Sequence, residues 1–263
     1  MSDVDPGSGT GLELHRARTD AAPLLVLFDL DDTLFAHRAA VDAALLAQVR
    51  VLGAPYTIDD EDAEVDFWQE LEELHYHAYL AGTLDYEGQR RARARDYAAR
   101  HGLALDDTAA TEWFDAYFEH YVDNWMLHED AVPALDELLR AFPGVRLGLI
   151  TNGDAAFQAR KIAGVGLADR FEEVVASGAF GVAKPDPAIF RHACELFGVP
   201  PEQSVYVGDR FATDAVGAAR AGLTGVWLNR TGARLTTEET ATAAELGVRQ
   251  IASLVELVGV LSG

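Results

Sequence analysis

The sequence predicts an α/β fold, a doubly wound parallel sheet of Rossmann-like type with an all-helical cap subdomain inserted after the first strand. Three observations carry this. Short apolar runs at 24–28, 145–150, 174–176, 205–207 and 225–228, the first of them continuous, have the pattern of strands buried on both faces. Amphipathic stretches separate the last four runs, the alternation that builds a parallel sheet from βαβ units. The interval from 36 to 128 holds no strand pattern and is far longer than any simple crossover, so it reads as a subdomain.

Taken in order, the first run ends in Asp29. Apolar and aromatic residues then recur at helical spacing over 39–52, 63–80, 86–101 and 110–126, with breakers at 53–55, Gly82 and Gly102. The core resumes with Asp130 as an N-cap and a helix over 131–142, which Pro143 and Gly144 stop. After the last run comes a polar, Thr-rich stretch near Thr236 and a closing amphipathic helix over 251–261. The expected division is a flexible arm over 1–23, a catalytic core over 24–35 and 128–263, and a helical cap over 36–127.

Composition narrows the function. A net charge of −22, from 21 Lys+Arg against 43 Asp+Glu, repels polyanions and argues against nucleic acid as a partner. The first residues contain no apolar run suited to a signal peptide or a membrane span, and the single cysteine, Cys194, expected in the core, fits a reducing compartment. Cytoplasm is therefore the expected location, with no membrane partner. An anionic substrate could approach such a chain only through a locally positive, metal-loaded pocket.

Four motifs meet that requirement. Phe28-Asp29-Leu30-Asp31-Asp32-Thr33 stands where the first strand runs out, the end at which open α/β sheets bind ligands. Two carboxylates at that point need a cation or a shared proton. Thr151-Asn152-Gly153 follows the second strand and offers a hydroxyl and a turn whose N–H groups can cradle an anion. Lys184 precedes a helix beginning near Ala188, and it is one of two lysines in a chain that otherwise uses arginine; the other, Lys161, falls on an amphipathic helix. Gly208-Asp209 through Asp214 follows a later strand with two more acids, oxygen ligands that suit Mg2+.

In this order and at these strand ends the motifs resemble the haloacid dehalogenase superfamily, in its phosphatase branch with a helical cap. The resemblance covers about 24–34 and 130–230. It implies that Asp29 is a nucleophile forming an aspartyl-phosphate and that Asp31 is the acid for the leaving oxygen, then the base for water. Thr151, with Asn152 and Gly153, would bind the phosphoryl group, and Lys184 would hold both nucleophile and phosphoryl. Magnesium would be ligated by Asp29, Asp209, the backbone carbonyl of Asp31 and, directly or through support, Asp214. To donate, Asp31 must stay protonated, which burial and like-charge crowding favour.

The bland readings differ from motif to motif. Asp29 and Asp31 alone could be solvated turn acids, Thr151 and Asn152 or Asp214 helix N-caps, and Arg210 a structural ion pair. In the cap, Trp68, His75, Tyr76, His77, Tyr79, Arg90, Arg91 and Arg93 could hold a leaving group, although helical spacing favours core for the aromatics and a solvated face for the arginines. Competing functions are a 2-haloacid dehalogenase, a phosphomutase, and a non-catalytic phosphate- or metal-sensing module. Halide leaves without a proton, so Asp31 favours phosphate esters; the cap holds no lysine for the Schiff base that phosphonate hydrolysis needs. The expected substrate is a small phosphorylated metabolite, handled by a monomer or homodimer.

Overall fold

The computed structural model describes residues 22–263, so the arm expected over 1–23 lies outside the described residues save for its last two. Six strands form one parallel sheet: β1 Leu25–Phe28, β2 Arg146–Thr151, β3 Glu173–Ala176, β4 Ser204–Gly208, β5 Thr224–Leu228 and β6 Arg249–Ile251. Their order is β3-β2-β1-β4-β5-β6. The doubly wound class expected from the apolar runs is the one that forms.

β1 is the hub. All four of its residues are fully buried, and Phe28 lies opposite Leu149 of β2 on one side and Val207 of β4 on the other. The chain winds from β1 out to β3, then returns to start β4 on the opposite flank of β1. That reversal is the switch point beyond which ligands bind in such sheets. Leu25, Leu27 and Tyr206 of these strands share a core with Ile189, Phe190, Cys194 and Phe197 of a helix over Pro187–Phe197.

The chain divides into two compact units, one built from the described residues up to Ala36 with Leu127–Gly263, the other from His37–Met126. The second unit is four helices: α1 His37–Leu52, α2 Glu61–Leu80, α3 Tyr86–Arg100 and α4 Asp107–Asp123. Helices α2, α3 and α4 start from Asp60, Asp85 and Asp106, whose carboxylates accept from backbone N–H groups in the first turn. Trp68 is fully buried at the centre, its ring 4.7 Å from that of Tyr117. Arg93 departs from the solvated face expected of it: it is buried, 3.0 Å from Glu72, with its guanidinium 4.5 Å from the Trp68 ring. His75 pairs with Asp96 instead of a metal, and His77 is exposed.

In the first unit the remaining helices, besides a single helical turn over Ser177–Phe180, are α5 Ala131–Ala141, α6 Ala155–Gly164, α7 Pro187–Phe197, α8 Gly217–Ala221, α9 Thr237–Leu246 and α10 Leu257–Ser262. Asp130 stands at the start of α5 but does not cap it with its side chain. Its carboxylate instead takes two N–H groups from Arg230, at 2.8 and 2.9 Å, together with the Ser253 hydroxyl and the Leu254 N–H. The Thr-rich stretch is helical because Thr236 and Glu239 form a capping box at its entrance. The closing helix is shorter than expected, since Arg249–Ile251 is strand and a 3₁₀ turn over Leu254–Glu256 precedes α10. Among the described residues, no helix is long and apolar enough to cross a membrane.

Candidate active site

The site begins where β1 ends. The Asp29 N–H donates to the Val207 carbonyl at 2.8 Å, which carries the β1–β4 pairing one residue past the strand and sets Asp29 beside the tip of β4. The chain then folds back in a tight turn: Asp32 takes a left-handed φ of 57°, which aspartate tolerates, and its N–H reaches the Phe35 carbonyl at 2.7 Å. Inside this turn the buried Thr33 hydroxyl donates to Asp29 Oδ2 at 3.3 Å and accepts from the Asp209 N–H at 3.1 Å. Thr33 thereby ties the tips of β1 and β4 together.

Lys184 arrives from the far end of β3. Its Nζ lies 2.5 Å from Asp29 Oδ1, 2.8 Å from Asp214 Oδ1 and 2.8 Å from the Tyr206 hydroxyl, a partner for each of its three N–H groups. Burial alone would lower its pKa, but Asp214 and Asp29 outweigh burial and hold it well above the usual lysine value. Asp214 sits in a π-helical segment, Phe211–Val216, and its second oxygen accepts from the Arg210 N–H. Only glycine fits at 208, because a Cβ there would stand 2.5 Å from the Cβ of Asp214.

Asp29, Asp209 and Asp214 each place one carboxylate oxygen within 4.8 Å of the others. Burial, then the neighbouring carboxylates, push Asp29 and Asp209 above the ordinary aspartate range, with Lys184 opposing this at Asp29 and Arg210 at Asp209. Three carboxylates, two of them bonded to the Lys184 ammonium, gather oxygen donors alone at one point, the setting a hard divalent cation fits and in which it would offset the crowding.

The other expected site residues fall out differently. Thr151 closes β2, buried, one strand from Asp29. Asn152 does not aim its amide at a ligand: Oδ1 accepts from the Lys184 N–H at 2.9 Å and Nδ2 donates to the Lys184 carbonyl at 3.0 Å, so it clamps the lysine's backbone. Gly153 likewise gives its N–H to the Ser177 hydroxyl at 3.0 Å, which leaves the turn less of an anion cradle than expected. The N-cap of the helix that follows is Asp154, neither Thr151 nor Asn152. Asp31 is near enough for its charge to act on Asp29, and it is also held from another helix: its Oδ1 lies 2.6 Å from Nζ of Lys161 and its Oδ2 accepts from Gln158 at 3.2 Å.

Thr33, Tyr206, Gln158 and Lys161 are thus site residues that motif reading passed over. Lys161 alone had a signal, since the chain has only two lysines and both prove to be buried against aspartates of the β1 turn.

Residues 24–222 match the haloacid dehalogenase-like hydrolase family. The chain belongs to this family. Its curated relatives place it with the family's phosphatases: it is 32% identical to a glyceraldehyde 3-phosphate phosphatase of Methanopyrus kandleri, over 78% of this chain and 83% of that one. It is 34% identical to the N-acylneuraminate-9-phosphatase of Rattus norvegicus, over 79% and 83%. Among solved structures, a magnesium-bound hydrolase of the family from Bacillus subtilis shares the fold at a TM-score of 0.74 with 21% identity, covering 92% of this chain and all of that one.

Proposed function

We propose that this chain is a magnesium-dependent phosphomonoester hydrolase acting on a small phosphorylated metabolite through an aspartyl-phosphate on Asp29. The observation that supports it most is the Asp29 carboxylate at the switch point, gripped by Lys184 and Thr33 with Asp209 and Asp214 gathered around it. An Asp29 oxygen attacks phosphorus, the ester oxygen departs with a proton from Asp31, and an acyl phosphate remains on Asp29. Asp31, now a carboxylate, takes a proton from water, whose oxygen attacks phosphorus and frees phosphate and Asp29. The Thr151 hydroxyl holds a phosphoryl oxygen through both steps, while Lys184, whose three N–H groups hold Asp29, Asp214 and Tyr206, fixes the nucleophile and gives up one of these bonds to a phosphoryl oxygen as the phosphoryl group arrives, since phosphoryl transfer is chiefly positioning and charge neutralisation. Asp29, Asp209, Asp214 and the backbone carbonyl of Asp31 would hold magnesium, which when bound would supply positive charge to neutralise the charge on those oxygens. The names of the relatives join one chemistry, a phosphate monoester on a small, oxygen-rich carbon skeleton, and this chain's substrate belongs to that class.

The test is release of phosphate from p-nitrophenyl phosphate and from a panel of phosphorylated metabolites, with and without magnesium. Asp29→Asn abolishes turnover while the circular dichroism stays that of the parent, and chelation stops activity until magnesium returns. Normal turnover by Asp29→Asn would overturn the reading.

A further inference from the structure

Lys161 is 2% exposed, and its Nζ lies 2.6 Å from Asp31 Oδ1 across 130 residues of chain. The rings of Phe35 and Phe157 flank the ammonium at 4.7 and 5.1 Å. One turn earlier on α6, Gln158 is 3% exposed and donates from Nε2 to the other oxygen, Oδ2, at 3.2 Å. The i, i+3 spacing sets both donors on one face of the helix, so each oxygen of Asp31 has its own partner, carried by a single rigid element. A carboxylate held through one oxygen can swing; held through both, its plane is set.

Two features set this apart from ordinary packing. A buried ammonium is costly even when paired, and an apolar side chain would fill the gap between the two rings at no such cost. Gln158 also leaves its Oε1 buried without a partner, a penalty that a leucine of similar size would avoid. Both costs are tolerated at the two positions that touch Asp31.

Resting on the reading of Asp31 as acid and base, we propose that Lys161 and Gln158 are positioning residues that aim the Asp31 carboxyl group at the ester oxygen. They touch no reacting atom and act through Asp31. Their loss therefore copies the loss of Asp31 in kind.

The experiment compares kcat/KM on an alkyl phosphate with that on p-nitrophenyl phosphate, whose leaving group needs little protonation. Lys161→Met, which keeps an apolar stem between the rings, lowers kcat/KM on the alkyl ester by about 10²-fold, the cost of a misplaced catalytic group. It lowers the aryl ester far less, and in an Asp31→Asn background it causes no further loss on either ester. Gln158→Leu shows the same pattern more weakly, and it decides the matter if Lys161→Met fails to fold. Equal losses on the two esters, or losses that multiply in the double variant, would overturn the positioning role. The two failures are separable: turnover surviving Asp29→Asn sinks the phosphatase reading, whereas a dead Asp29→Asn beside a uniform Lys161→Met loss sinks only this inference.

Discussion

Asp209 carries the energetic tension of the site. In the metal-free protein, burial and the nearby carboxylates raise its pKa, so the folded state holds a proton that the unfolded chain releases at about the ordinary value of 3.8. A raised carboxylate pKa weakens the fold progressively as pH climbs above that value. Asp209→Asn should therefore raise the melting temperature of the metal-free protein at pH 8 and have little effect near pH 4. It should also erase the stabilisation that magnesium gives the parent, since ligands that bind only the native state stabilise it. A metal-free Asp209→Asn that melts below the parent at pH 8 would mean that Asp209 is held by favourable bonds instead. Gly208→Ala tests the same spot from the backbone side. The new methyl group would stand 2.5 Å from the Cβ and Cγ of Asp214, so this substitution should cost about 1–3 kcal/mol by overpacking and weaken magnesium binding at the same time.

Among the elements, the inserted helices stand on Trp68. Its ring is fully buried against Tyr97, Trp113, Phe114 and Tyr117, and Trp68→Ala should cost about 3–5 kcal/mol, read from urea titration. Asp130 does comparable work in the sheet unit, where it joins the start of α5 to Arg230 beyond β5 and to the turn before α10. Burial pushes its pKa up, but the bonds from Arg230, Ser253 and Leu254 bring it down to about 2. A lowered pKa means stability that is present above the ordinary 3.8 and lost as pH falls toward 2, so Asp130→Asn should flatten the fall of melting temperature across that window. These elements also show what could be read from residues alone. β1 is an unbroken apolar run, β2 and β4 are largely apolar after a polar first residue, Arg146 and Ser204, and all three lead into chemistry-bearing residues, so strand, site and sheet class were visible together. α9 was hidden because none of its residues is buried; a capping box makes it a helix, with no apolar face to announce it. β6 has three residues, two of them polar, and becomes a strand only by pairing with β5. The roles of Lys161 and Tyr206 were hidden for another reason: each occupies a slot that suits its element, and its partner lies on a different segment of the chain.

For the whole molecule the net charge of −22 is in tension with the anionic substrate proposed for it. Each lysine of the chain already faces an aspartate, so under the proposed function the magnesium would supply much of the positive field that draws phosphate inward, against a long-range repulsion from the rest of the surface. The two fields respond differently to salt. Screening acts on exposed charges over a length of about 30 Å at 0.01 M and about 8 Å at 0.15 M ionic strength, and much less on groups in direct contact in a buried site. With magnesium saturating, kcat/KM for a phosphate ester should therefore rise as sodium chloride is raised through this range, while kcat, measured on substrate already bound, stays level. Reversing surface charge at the opposite end of the sheet, for instance Glu195→Lys in the last turn of α7 with Glu202→Lys just before β4, should raise kcat/KM at low salt and reduce its dependence on salt. A kcat/KM that falls with added salt would show that the local field of the loaded site reaches further than the repulsion of the acidic surface, and would remove the surface as a brake on substrate capture.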